Sequence, residues 1–157
     1  MSYSINAGIA ISLDGSTWYS LTDHNREAID ISNTPIEHAQ RMANGRMRKY
    51  VIANKKSFGT SWSNLPSQSS NTVDQNRSSA WLAAFYEANL FVPIYVKITH
   101  AKDTKPSIGS APSDSTYQSS RTTSETVQCY ITKFDVKVKK RMLTYDYVDM
   151  SIEFTEI

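Results

Sequence analysis

The chain has 157 residues, of which 39% are hydrophobic and 20% charged, with a formal net charge of +2. That length supplies one ordinary domain with a real core and is too short to suggest two, and the small net charge excludes recognition by overall charge, leaving only local patches. A single cysteine, Cys129, excludes a disulfide framework and any multi-cysteine metal site, which fits folding in a reducing cytosol and a half-buried strand position for that residue.

Ile9, Ile11 and Leu13 alternate with Ala10 and Ser12 and are followed by Asp14-Gly15, the pattern of a half-buried strand ending in a tight turn, and a second strand begins near Trp18. After the polar break "TDHNRE", Ile29 and Ile31 alternate again. Pro35 then interrupts, so a fresh strand is expected from about Ile36. This strand runs into "RMANGRMRKY", with Asn44-Gly45 at its centre. A two-residue type I′ turn there would pair Met42 with Met47, Arg41 with Arg48, Gln40 with Lys49 and Ala39 with Tyr50, leaving neither face cleanly apolar. Between Arg41 and Lys56 stand six basic residues (Arg41, Arg46, Arg48, Lys49, Lys55, Lys56) and no acidic one. The returning strand carries on to Phe58 and Trp62 and ends at "NLPS".

Residues 67–76 are polar and aperiodic, a loop. A helix follows over about 77–89, with Ala80, Trp81, Ala84, Phe85 and Ala88 as its apolar stripe, Ser78 or Ser79 at its start and Asn89 at its end. "LFVPIYVKIT" reads as a strand whose Pro93 suggests an edge or a bulge. Residues 101–126 are dominated by Ser, Thr, Asp, Lys and Pro; they form either a disordered surface excursion or a segment ordered by a partner. At the C-terminus, Thr132, Phe134, Val136 and Val138 alternate with polar residues, as do Val148, Met150, Ile152 and Phe154, which reads as a long antiparallel pair with one dry and one wet face.

No arrangement of residues points to catalysis. The histidines His24, His38 and His100 are far apart and in no HxH or HExxH pattern; Glu37 and His38 adjoin, which on a strand points them to opposite faces; His24 lies in a polar turn and is expected to be solvent-exposed. Cys129 sits between Val127 and Ile131 with nothing to lower its pKa, no serine lies in a G-x-S-x-G elbow, and the five glycines form no phosphate-cradling loop. No metal and no cofactor is expected. No apolar run approaches the roughly 20 residues that span a bilayer, and no secretory leader is visible, so no membrane association is expected of the free protein. The aromatic residues Trp18, Tyr19, Trp62, Trp81 and Tyr145 could line a sugar- or peptide-binding surface but on strands more often pack the core or a protomer contact.

Three readings compete for the basic hairpin. It is a solvated edge blunted against aggregation, a ribbon that tracks nucleic-acid phosphates, or an arm that docks on another copy of the chain. The near-neutral net charge and the absence of an interleaved stacking platform weigh against nucleic acid. The third reading is favoured, with Arg41, Met42, Asn44, Gly45, Arg46, Met47, Arg48, Lys49 and Tyr50 at the contact, the arginines on carboxylates.

"YSLTDHNREAIDIS", "RMANGRMRKYVIANKKSFGTSWSNLPS", "WLAAFYEAN" and "KFDVKVKKRMLTYDYVDMSIEFTEI" together resemble the tube-forming structural proteins of tailed bacteriophages, over about two-thirds of the chain and sparing the two polar loops. The resemblance implies a mainly β fold, an antiparallel β-sandwich with one flanking helix. It implies copies, commonly six to a ring, that join their inner sheets into a barrel around a channel. Rings would stack into a tail tube, meet other tail proteins and pass DNA in transient contact, in a virion assembled in the host cytoplasm. Tail-tip and terminator rings share the fold, so the position in the tail stays open, as do a carbohydrate- or peptide-binding sandwich and a DNA-binding accessory protein. A lumen should be acidic or mixed so that DNA slides, which assigns the basic hairpin to a subunit contact and makes Asp146, Asp149 and Glu153 candidates for the lumen.

Overall fold

In a computed structural model, which describes residues 8–101, 109, 111 and 122–157, the chain forms seven strands and one α-helix. The strands are β1 (Ile9–Ser12), β2 (Tyr19–Ser20), β3 (Asp30–Arg41), β4 (Met47–Pro66), β5 (Ile94–Ala101), β6 (Thr122–Arg141) and β7 (Asp146–Glu156); the helix α1 (Ser79–Ala88) lies between β4 and β5. The strands pair in one sheet of order β2-β1-β5-β6-β7-β4-β3, and every neighbouring pair is antiparallel. The expected mainly β class with a single flanking helix holds, with the strands in one continuous sheet that curls onto itself.

The curl follows from where apolar side chains alternate. Rows of paired residues cross the sheet: Ile31–Phe58–Phe154–Ile131, then Thr60–Ile152–Phe134, Trp62–Met150–Val136 and Leu65–Val148–Val138. Directly paired residues share a face, so these rows define the core side. They meet Ile9, Ile11, Ile94, Val96, Ile98 and Cys129 from the other half of the sheet, and Leu82 and Phe85 from α1. Trp62 closes the seam. Its indole N–H donates to the Thr22 carbonyl at 2.8 Å, while Leu21, the residue before, donates its N–H to Ile9 at 2.9 Å, so the β1 side and β4 come within one side chain of each other. Asn25 to Glu27 then run along β4, with Glu27 N–H on Ser61 O at 2.8 Å, and lead the chain into β3.

A carboxylate hub secures the seam. Asp74 accepts hydrogen bonds from Thr22 Oγ1 (2.8 Å), the Asp23 N–H (2.8 Å), Thr72 Oγ1 (3.2 Å) and the Asn76 N–H (3.1 Å). Burial pushes its carboxyl upward, but these four donors outweigh burial and hold it below the ordinary carboxylate range. Neighbouring Asp23 is shifted the other way, upward, by burial, which exceeds the pull of Arg26 at 3.3 Å. His24, expected in solvent, is half-buried, and its Nδ1 accepts the Val73 N–H at 3.1 Å.

Several local expectations give way to tertiary context. β3 does not restart after Pro35 but runs unbroken from Asp30, because β3 is the edge of the sheet and a proline there disturbs no inner ladder. Conversely, the strand after Pro93 is no edge: β5 begins one residue later and lies between β1 and β6. The helix is Ser79–Ala88, and its inward face is Ser79, Leu82 and Phe85; Ala80, Ala84 and Ala88 of the expected stripe are exposed, while Trp81 is half-buried and stacks on Phe85. Asn89 closes the helix as expected, its N–H on Phe85 O at 3.1 Å. The loop expected over 67–76 contains a 3-10 turn at Ser69–Asn71. That expected over 101–126 is shorter, since Ala101 pairs with Thr122 and β6 begins there; residues 102–108, 110 and 112–121 lie outside the described residues. Cys129 is not half-buried but fully enclosed.

The C-terminal pair keeps its dry face on β7, where Val148, Met150, Ile152 and Phe154 are all buried. On β6 the dry face fails. A bulge between Ile131 and Lys133 turns Thr132 out to bond with Thr155 Oγ1 at 3.1 Å, and beyond Phe134, which Tyr86 covers at 5.2 Å, β6 outruns everything that could bury it. Val138 is 58% exposed.

Candidate functional site

The hairpin of β3 and β4 is an arm. All twelve residues of β3 are exposed, and so are Met47 to Ile52 on β4. β7 supports β4 only from Ser57 onward, so the ten residue steps from Ser57 to Met47 carry the arm about 33 Å past the edge of the supported sheet. Met42, Met47, Tyr50, Val51 and Ile52 are exposed along it, which a small domain does not tolerate on an idle surface without cost.

The turn differs from the expected one, and the difference removes the apparent charge clash. The Gly45 N–H donates to Met42 O at 2.9 Å and the Met42 N–H to Arg46 O at 2.8 Å, so the loop has three residues, Ala43, Asn44 and Gly45. A type I′ turn needs positive φ at both central residues, whereas only Gly45, at +83°, has it. The register therefore slips by one. Arg41 faces Met47, Gln40 faces Arg48, Ala39 faces Lys49 and His38 faces Tyr50. Arg41 and Arg48, expected to face each other, lie on opposite faces of the ribbon. No two cations are directly paired on the arm. Asn44 Oδ1 accepts the Arg46 N–H at 3.0 Å, Arg41 Nη1 donates to Gly45 O at 3.0 Å, and Lys49 pairs with Glu37 at 2.7 Å. Among the described residues Arg46 and Arg48 have no ion-pair partner, which leaves their charge available.

The face of β3, β4, β7 and β6 opposite the core is polar and built of small residues. Its rows read Ser32–Ser57–Thr155–Tyr130, Asp30–Gly59–Glu153–Lys133, Ser61–Ser151–Asp135 and Asp149–Lys137. Glu153 stands beside Gly59, over a shallow groove it shares with Asp30, Ser32, Ser57 and Thr155. Asp149 accepts the Asn64 N–H at 3.1 Å and pairs with Lys139 at 3.4 Å. So Asp149 and Glu153 share this face, while alternation gives Asp146 the parity of Val148 on the other; Asp146 is fixed through its backbone to Ser67. The rows carry four carboxylates (Asp30, Asp135, Asp149 and Glu153) and two ammonium groups (Lys133 and Lys137), so the face is mixed with an acidic excess. Sequence reading missed the second feature of these strands, a free edge. β5 covers β6 only up to Cys129, so from Tyr130 to Arg141 no strand among the described residues pairs with that side of β6.

Other candidate groups are spread out. Trp62 is core, the rings of Trp81 and Tyr19 lie tilted at 5.2 Å under Arg77, Trp18 lies against Lys97, and the ring of Tyr145 meets that of Tyr147 edge-on. No group of three or more His, Cys, Asp or Glu residues that could hold a metal occurs among the described residues. No helix among the described residues is long and apolar enough to cross a membrane. Burial, and then the charge of Glu156, push the Cys129 thiol up to about 12, so at neutral pH it carries no thiolate.

Fold and surface together define a class: a mainly β chain whose sheet, among the described residues, has two long open edges, a projecting basic arm and one polar face. No family model matches the chain, and no curated protein matches it. A solved structure makes the likeness particular. The chain is similar in fold to a chain of the tail of an empty gene transfer agent (GTA) particle, refined with C6 symmetry, at a TM-score of 0.51 over 100% of this chain and 95% of that one, with 10% sequence identity. At that identity the likeness establishes the fold.

Proposed function

We propose that this chain is a structural, non-enzymatic protein of a phage-like tail that works by self-association, its copies closing into a ring around a channel and the rings stacking into the tail tube or an adjoining tail ring. The observation that carries the reading is the pair of open edges. β3 exposes its outer edge over twelve residues and β6 exposes one from Tyr130 to Arg141. Four strands alternate in direction from β6 through β7 and β4 to β3, so β3 runs antiparallel to β6. A copy rotated about an axis along the strands therefore offers its β6 to this β3 in the antiparallel sense, and repetition closes a barrel without an edge. The core side is occupied by the other strands and α1. The polar face with Asp149, Glu153, Lys133 and Lys137 is then the one that faces the channel, and its mixed, mainly acidic charges give a DNA backbone no continuous cationic track to bind. The six-fold symmetry of the GTA tail supports six copies with four strands each.

The basic arm docks on other copies in this reading. Changing both Arg41 and Arg48 to Glu puts a reversed charge on each face of the ribbon while touching no buried group. Electron microscopy of the purified protein at high concentration is expected to show rings or tubes for the unaltered chain and dispersed particles for R41E/R48E. Both proteins should unfold within about 0.5 kcal/mol of each other. Tubes that persist unchanged in the double variant would rule out the arm as an assembly contact, and single globules from the unaltered chain would count against self-association itself.

A further inference from the structure

The turn between β6 and β7 lies at the far end of the strands from the arm, because β4 leaves the arm at Met47 and ends at Pro66 opposite Tyr147. The Met142 N–H donates to Tyr145 O at 2.9 Å, which puts Leu143 and Thr144 at the apex. Leu143 is 100% exposed, and Met142 beside it is exposed as well. On a fraying turn such a leucine would mean little, but this turn is held in place. Gln68 Nε2 donates to Thr144 O at 2.8 Å. Ser67, just past β4, donates its N–H to Asp146 O at 2.8 Å and accepts the Asp146 N–H on its Oγ at 2.9 Å. An apolar apex is thus presented to solvent in a fixed position.

Two further layers lie behind the apex. The half-buried Tyr145 and Tyr147 meet edge-on, their ring centroids 5.5 Å apart. Lys139, Lys140 and Arg141 stand at the end of β6, and alternation sends Lys140 and Arg141 to opposite faces, so cations flank the tip on both sides. Lys139 is engaged by Asp149 at 3.4 Å, whereas Lys140 and Arg141 have no ion-pair partner among the described residues. From Lys137 to Asp149 the chain carries four cations and two carboxylates, a net charge of +2. Arg141 stands two residues, about 7 Å, behind Leu143. This order matches the surface of a bilayer, where apolar side chains enter about 5–10 Å, tyrosines sit at head-group level and cations meet lipid phosphates. A nucleic-acid backbone would engage the cations but has no use for a leucine in front of them. Another copy of the chain is a poor match in charge, since the end it would present, the arm, carries the unpaired Arg46 and Arg48.

We propose that the β6–β7 tip is a docking site for an anionic lipid surface, with Met142 and Leu143 inserted at head-group depth and Lys140 and Arg141 on lipid phosphates. Insertion to this depth needs no membrane-spanning segment. A single tip binds weakly. In the ring of the proposed function six tips lie together at one end of the channel, and only this gain in avidity rests on that reading.

The test uses the full chain and vesicles of equal parts phosphatidylcholine and phosphatidylglycerol, with phosphatidylcholine alone for comparison. The chain is expected to co-sediment with the anionic vesicles only, and less so as salt is raised. Leu143→Ser, at a wholly exposed side chain, and Lys140→Glu should each lower the partition about tenfold. Insertion itself is read with an environment-sensitive nitrobenzoxadiazole dye on Leu143→Cys, since the enclosed Cys129 does not take the label. Its emission should brighten and shift to the blue on anionic vesicles, while the same dye on Asn44→Cys at the arm tip should not respond. This readout serves single chains as well as rings. No response at Leu143, or an equal response at Asn44, overturns the lipid site whether or not rings form. Vesicle binding that Lys140→Glu weakens and Leu143→Ser leaves unchanged overturns it too, and retention of duplex DNA with the same dependence would assign the tip to nucleic acid instead. A dye response from single globules with no rings in the micrographs would keep the lipid site and remove the ring; rings without a dye response would do the reverse.

Discussion

Replacing Trp62 by Phe tests whether the curl of the sheet hangs on one side chain. Trp62 is 1% exposed and joins β4 to the segment after β2 through its indole N–H on the Thr22 carbonyl at 2.8 Å. Phenylalanine keeps an aromatic ring in the core but removes the donor, which deprives a buried carbonyl of its partner at a cost of about 1–3 kcal/mol. The smaller ring leaves a void worth about 1 kcal/mol more. The expected loss of about 2–4 kcal/mol is a large part of the roughly 5–15 kcal/mol that holds a domain folded, and corresponds to a fall in Tm of about 4–16 °C for a chain of this size. Urea unfolding followed by far-ultraviolet circular dichroism measures it. A loss below about 1 kcal/mol would show that the seam is held by packing elsewhere and that the indole bond is incidental.

Two further outcomes follow from the buried polar groups. Asp74 has a depressed pKa, so its contribution is full above the ordinary carboxylate value of about 4 and is lost as pH falls through the folded-state value. The urea midpoint of the chain should fall on acidification below about pH 4, and Asp74→Asn should flatten that fall while costing about 1–2 kcal/mol at pH 7; a variant with an unchanged acid limb would dismiss the hub. Asp23 acts with the opposite sign: its raised pKa means the folded chain holds the proton more tightly, so its burial opposes folding at neutral pH and Asp23→Asn should recover part of that. The enclosed Cys129, with its pKa near 12, should resist iodoacetamide at pH 8 in the folded protein and react fully in urea; fast labelling of the folded chain would show that the β5–β6 region opens.

The sequence carried the strand content well because the signal is local. Val148, Met150, Ile152 and Phe154 alternate without interruption, and all four are buried; Phe58 and Trp62 keep the same phase on β4 and line the same core. The candidate site was legible in part. An Asn-Gly pair among basic residues marked the arm, but its register hung on the backbone φ of Asn44, which residue identity does not dictate, and a single step moved Arg41 from Arg48 to Met47. Pro35 and Pro93 show the same limit from opposite sides. Each was weighed as a breaker on its own, yet what a proline does depends on whether its nitrogen faces a partner strand, and only the order of strands in the sheet decides that.

What the sequence by itself determined is therefore the alternation of apolar and polar side chains and the place of the β3–β4 and β6–β7 hairpins, both properties of neighbours along the chain. The tertiary structure alone decided which strands lie at an edge, which face of the helix turns inward, and that β6 outlasts its cover. Those depend on contacts between residues far apart in sequence, where an edge is defined by the strand that is missing beside it, and no local pattern encodes a missing neighbour.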